Sequence, residues 1–171
     1  SPPGGLEKPI DKPFTRLSSG TWLHNRPEKD VYWLLIDAYR MRMEDNYVYD
    51  QQNTAGGMYA GAPHGLSSFR HFLRLAAARP GLLPAWWGPG KQAACERLGM
   101  DPDEWCGLRY CIEKDEISEH YGDPLFPMQL HMFGEAVYQC GLGGVDGAQM
   151  LAMMAMQESG GAPQFMSVLS L

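Results

Sequence analysis

The stretch Trp22–Tyr47, WLHNRPEKDVYWLLIDAYRMRMEDNY, constrains this chain more than any other. It joins the densest apolar run to a strong helix-start signal. Asn25 stands where an N-cap is needed, and Pro27 falls in the first turn, where its missing N–H costs nothing. Glu28 and Asp30 complement the positive end of the helix dipole. Val31, Leu34, Leu35, Ala38 and Arg42 share one helical stripe, and Tyr32, Ile36, Tyr39 and Met43 share a second. A helix that is apolar on two sides must be covered on two sides, so the pattern predicts a central helix. Its arginines and tyrosines are expected to run from the core to the surface. Asn46 is the expected terminator.

The rest of the chain supplies the cover. Residues 1–20, SPPGGLEKPIDKPFTRLSSG, carry Pro2, Pro3, Pro9 and Pro13, which favour extended or turn backbone. They are expected to form a proline-rich arm pinned by Ile10, Phe14 and Leu17 and closed off by Trp22. Residues 48–65 show no periodicity and contain Gly56, Gly57, Gly61, Pro63 and Gly65, which makes a long loop with Met58 and Tyr59 in its middle. A helix follows over residues 67–78, capped by Ser67 and stopped by Pro80–Gly81. PGLLPAWWGPG then sets Trp86 and Trp87 in a proline-framed corner. Such tryptophans usually pack on the core edge, and the other reading is an exposed aromatic binding surface.

Short helices are expected over residues 90–99, from Asp101–Pro102 onward with Trp105 and Leu108 inward, and around Ile112, Ile117 and Tyr121 up to Gly122–Asp123–Pro124. Two more are expected at about residues 127–139 and 146–157. In the last, Met150, Met153 and Met154 read as core and Met156 as exposed. No internal repeat and no alternating strand pattern with hairpin residues occurs. The predicted fold is all-α: an irregular orthogonal bundle of about six helices with long proline- and glycine-rich connections. The expected division is an arm over 1–20, a single helical domain over 21–158 and a tail over 159–171.

Composition narrows the function classes. The 171 residues are 44% apolar, enough for one core, and the formal net charge is -6. An acidic balance argues against a nucleic-acid binder, although Arg40 and Arg42, or Arg70, Arg74 and Arg79, would be the places for a basic patch. No apolar run of about eighteen residues is present, so no transmembrane helix and no membrane partner are expected. Cys95, Cys106, Cys111 and Cys140 lack C-x2-C spacing and sit in apolar surroundings, so they read as buried, reduced thiols of an intracellular protein, cytoplasmic or nuclear.

The common catalytic signatures are missing from the sequence: no P-loop, no G-x-G-x-x-G after a strand, no H-E-x-x-H and no G-x-S-x-G. Glu116 and His120 are at i, i+4, and His131 and Glu135 repeat that spacing on the next helix. Antiparallel packing across the Gly122–Asp123–Pro124 turn would assemble a two-His, two-carboxylate site. The plainer reading is two surface helix pairs of a few tenths of a kcal/mol each.

Three segments carry a resemblance: KPFTRLSSGTWLHNRPEKDVYWLLIDAYRMRMED, SSFRHFLRLAAARPGLLPAWW and EISEHYGDPLFPMQLHMFGEAVY, which together cover most of residues 12–138. They resemble the helical region of fungal proteins that carry a MYND-type zinc finger. That finger binds zinc and short peptide motifs, and its paired cysteines are absent from this chain. The resemblance therefore implies no zinc ligand and no cofactor here, with zinc belonging to a finger outside this sequence. It implies an intracellular all-α region with a role in protein–protein interaction or assembly, and no catalytic residues.

Three function classes follow. A non-enzymatic interaction domain would use Met58, Tyr59, Trp86 and Trp87, or the arm, against a protein partner. It predicts no buried cluster of perturbed titratable groups and an exposed apolar patch larger than usual. A metal-dependent or acid–base enzyme would bring Glu116, His120, His131 and Glu135 into one pocket. A partner-dependent subunit would seat Phe165–Leu171 on another chain.

Overall fold

The computed structural model describes residues 5–50, 65–141 and 147–161. These residues contain helices and no strand. In chain order the helices are α1 (Pro13–Ser19), α2 (Glu28–Asp50), α3 (Leu66–Ala78), α4 (Pro89–Met100), α5 (Lys114–Tyr121), α6 (Phe126–Tyr138) and α7 (Ala148–Met156), and a wider π-type turn over Gln157–Gly161 follows α7. The all-α bundle expected from periodicity is the observed fold. The long 48–65 loop, with Met58 and Tyr59, falls mainly outside the described residues, as does Phe165–Leu171.

α2 is the central helix. Its 23 residues span about 34 Å at 1.5 Å per residue. Val31, Leu34, Leu35, Ile36, Ala38 and Tyr39 are completely buried, and α6, α3 and α4 cover them. Both predicted stripes are therefore core. Trp22 closes the entry to the helix: its ring tilts on Phe133 at 5.0 Å, and its indole Nε1 donates to Gln129 Oε1 at 3.2 Å.

Several local expectations are corrected. Asn25 does not cap α2: it sits in the left-handed region at φ 59, and the Val31 N–H donates to the Pro27 carbonyl. Asp30 is completely buried, and its carboxylate takes the backbone N–H groups of Glu7 and Lys8 at 2.9 Å, which staples the arm to α2. Asn46 does not stop the helix, which continues to Asp50. An interior Asn costs only about 0.7 kcal/mol, too little to end a helix paid for by packing on both sides. Ser67 does not cap α3, which starts after Gly65 with no side-chain cap.

The arm is not merely extended. Pro13 sits in the first turn of α1, where its ring suits the helix, and Phe14 and Leu17 are buried as expected. The far end of the chain completes α1: the Glu158 carboxylate accepts the Phe14 N–H at 3.0 Å, the Thr15 N–H at 2.7 Å and the Thr15 hydroxyl at 2.8 Å. Residues Gln157–Gly161 form the π-type turn that carries Glu158, with Gly160 outside helical geometry at φ 96, and the rest of the expected tail lies outside the described residues.

The helix expected from Asp101 does not form. Asp101 Oδ1 accepts the Asp103 N–H at 2.9 Å, and the Glu104 N–H turns back to the Asp101 carbonyl, so the start signal is spent on a turn. Tertiary partners then hold the segment non-helical. The Leu108 N–H donates to the Gly99 carbonyl at 2.7 Å, and Leu108 packs so closely on Gly99 that a Cβ there would meet it at 2.9 Å. Trp105, expected inward, is 37% exposed, whereas Leu108 is buried as expected.

α7 contains no buried residue, so Met150 is corrected from core to surface at 43% exposed. Leu151 and Met154 pack partly against the core, and Met156 is exposed as expected. Of the cysteines, all free, Cys95 and Cys106 are buried, but Cys111 and Cys140 are exposed. No helix among the described residues is long and apolar enough to cross a membrane.

Candidate functional site

The two histidine–glutamate pairs do not assemble one site. His120 on α5 lies flat against Trp105, with ring centroids 3.6 Å apart and planes at 4°. Burial and the nearby Arg40 charge lower its pKa to about 4. Glu116, one turn earlier, is exposed. His131 on α6 does meet Glu135, Nε2 to Oε1 at 3.1 Å, and its Nδ1 meets Asp45 at 2.9 Å. The hydrogen bond to Asp45 raises the His131 pKa, against its burial. The two carboxylates hold opposite edges of one ring, so a single ion cannot touch all three side chains. Among the described residues no group of three or more His, Cys, Asp or Glu is placed to hold a metal.

A different polar cluster was not anticipated, and it is the most perturbed one. Asp37 is completely buried on α2 and accepts from Arg40 Nη1 at 3.0 Å and from the Tyr121 hydroxyl. Arg40, 1% exposed, also donates to the carbonyls of Tyr110 and Trp105 at 3.3 Å, and its guanidinium lies over the Trp105 ring at 5.2 Å. Burial raises the Asp37 pKa to about 6, with Arg40 opposing. Burial, with the Asp37 charge, also pushes the Tyr121 hydroxyl and the Cys106 thiol well up. The expectation that the domain holds no such cluster is overturned. Every polar atom of Asp37 is spent inside the protein, and Arg40 does not snorkel. Its work is to fasten the 101–113 segment to α2 by capturing two carbonyls that a helix would have used.

The tryptophan corner has the opposite character. Trp86 is 39% exposed, Trp87 is half-buried, and both present edges to Tyr32 at 6.2 and 6.1 Å. Lys91 Nζ lies 5.9 Å over the Trp86 ring and 3.0 Å from Glu28 Oε1, while the Tyr32 hydroxyl donates to the same carboxylate. Behind Trp87 a cavity of about 480 Å³ opens between the end of α3 and α4, walled by Leu83, Pro80, Pro84 and Pro89 with Arg79, Gln92 and Glu96 on its polar side. Two further cavities, of about 410 and 440 Å³, lie beside α7 and between α2 and α4. None of the three is lined by Asp37, Arg40 or Tyr121.

Of the sequence-selected residues, the structure thus brings together Trp86 with Trp87 and His131 with Glu135, and leaves Glu116 and His120 apart from the latter pair. Met58 and Tyr59 lie outside the described residues. No family model, curated protein or solved structure matches the chain.

Proposed function

We propose that this chain is a non-enzymatic helical interaction or assembly domain of a larger intracellular protein, the region beside a MYND-type zinc finger, and that it meets a protein partner through the Trp86–Trp87 corner. The observation that carries the reading is the exposed Trp86 beside Trp87, which with Pro80, Pro84 and Pro89 lines one side of a cavity of about 480 Å³; such rigid side chains lose little entropy on binding. The buried Asp37 cluster departs from what this reading expects of the domain, but none of the three cavities described above is lined by Asp37, Arg40 or Tyr121. A nucleic-acid role finds little footing. Arg40 and Arg42 are buried, Arg70 pairs with Glu96 at 2.8 Å, and Arg79 donates to the Val137 carbonyl, which leaves few arginines for phosphate. Four free thiols accord with a reducing, cytoplasmic or nuclear setting.

The test is affinity purification of the full-length protein beside its Trp86→Ala variant from the native host. A partner retained by the parent and lost by the variant, at equal thermal stability, supports the proposal. A partner set indifferent to Trp86 contradicts it, and hydrolytic or metal-dependent turnover by the pure chain would replace it.

A further inference from the structure

At the C-terminus of α6 the chain reverses at Gln139, which takes the left-handed conformation at φ 58. The reversal lays Cys140 against Arg42 of α2. Arg42 is 5% exposed, its aliphatic part runs along Gly134, and its guanidinium lies 4.9 Å from the centre of the Tyr138 ring. Nη1 donates to the Cys140 carbonyl at 2.9 Å, and Nη2 points at Cys140 Sγ at 3.6 Å. Nε has no hydrogen-bond partner among the described residues. Nor does Arg42 form an ion pair there, unlike Arg40 with Asp37. Among the described residues, then, this buried guanidinium has one donor without a partner and no anion beside it. The sulfur it faces belongs to an exposed residue on the wall of a cavity of about 410 Å³.

We propose that Cys140 is a peroxide-responsive modification site whose oxidised sulfur is held by Arg42. The chemistry needs one co-reactant, hydrogen peroxide. The sulfur attacks one peroxide oxygen, the O–O bond breaks, and an S–O bond forms. Sulfur loses two electrons to the peroxide, and the thiol proton leaves with the departing oxygen as water, giving a sulfenic acid. A second peroxide converts this to a sulfinic acid and another water, and the sulfinic acid ionises. Each added oxygen is an acceptor at the place where Arg42 Nη2 now meets the sulfur, and the final product brings a negative charge to the guanidinium. Glu135 lies on the same cavity wall, held by His131, and its negative charge favours a neutral oxidant over an anionic one.

The other thiols are built-in controls. Cys95 and Cys106 are buried, with exposures of 0% and 2%. Cys111 is exposed like Cys140, but among the described residues no hydrogen bond reaches its sulfur.

The experiment treats the whole chain with a few equivalents of hydrogen peroxide and a dione that traps sulfenic acids, followed by peptide mass spectrometry. The expected result is labelling of Cys140 about ten-fold faster than Cys111, with Cys95 and Cys106 unlabelled and sulfinate accumulating at Cys140 when the trap is omitted. Equal labelling of Cys111 and Cys140, or none at Cys140, overturns the proposal without any variant being needed. Arg42→Met and Arg42→Lys then test the holder: loss of the Cys140 preference in a folded variant supports it, and an undiminished preference overturns the role of Arg42.

Discussion

Arg40 and Arg42 stand two residues apart on the same helix, both almost fully buried, and their surroundings could hardly differ more. On one side of α2, Arg40 has a carboxylate, two carbonyls and an aromatic ring, so a charge removed from water is answered in full. On the other side, Arg42 has a carbonyl, a thiol and an aromatic ring, and among the described residues its Nε meets no acceptor. Burial alone therefore does not say what a charge is for. A completed network fastens structure, here the non-helical 101–113 segment, whereas an incomplete one is a place where chemistry can still happen.

The largest expected break in this comparison is Asp37→Ala. It strands the buried Arg40 charge and should cost about 3–5 kcal/mol in a denaturant titration, the range for removing one partner of a buried pair. Leu35→Ala tests the helix that carries both arginines and should cost about 2–5 kcal/mol, since Leu35 is completely buried. A thermal midpoint that did not move would take α2 out of the centre of the fold. Arg42→Met should cost only about 1 kcal/mol, because it leaves no buried carboxylate unpaired and keeps apolar contact along Gly134. A loss as large as that of Asp37→Ala would erase the distinction between the two sides.

The pH dependence sharpens the Arg40 side further. Asp37 titrates at about 6 in the folded chain, above its ordinary 3.8, so the folded state holds the extra proton and stability falls as pH rises between those values. His120 titrates at about 4, below its ordinary 6.5, so the unfolded state holds the extra proton and stability rises with pH across nearly the same window. The two slopes oppose each other, and their net contribution between about pH 4 and 6 should be nearly flat. His120→Gln removes one of them and should expose a stability that falls with rising pH there, measurable by urea titrations at several pH values. An unchanged pH profile would mean that the two groups do not compensate. The smallest expected effect is Trp86→Ala, within about 0.5–1 kcal/mol for a part-exposed side chain.

Much of this architecture was legible from residue order. The two stripes of α2 are a matter of period, and period survives burial. Pro80–Gly81 and Gly122 stop α3 and α5 because backbone chemistry is local, and Gly122 does adopt the left-handed conformation. The larger failures, of elements and not of single caps, share one cause. Asp101–Pro102 carries a good helix start, but Arg40, far away in sequence, captures the carbonyls of Trp105 and Tyr110. Glu158 caps α1 from the opposite end of the chain. α7 looks like core by composition, but no partner among the described residues covers its Met150 and Met156. The site followed the same rule. The i, i+4 contact of His131 and Glu135 could be read from spacing, whereas the third partner, Asp45, and the Trp105 stack on His120 needed the fold. One clue to the buried network was present: Asp37 interrupts a run in which Leu34, Leu35, Ile36 and Ala38 all face the core, and a charge in such a run needs a partner.

The central claim is that Asp37 and Arg40 act as one unit that holds the 101–113 segment on α2. A double-mutant cycle with Asp37→Leu, Arg40→Met and their combination measures this directly by denaturant unfolding. The account predicts that each single variant is strongly destabilised and that the double variant recovers about 2 kcal/mol or more relative to their sum. Additive losses, with no recovery in the double variant, would contradict it.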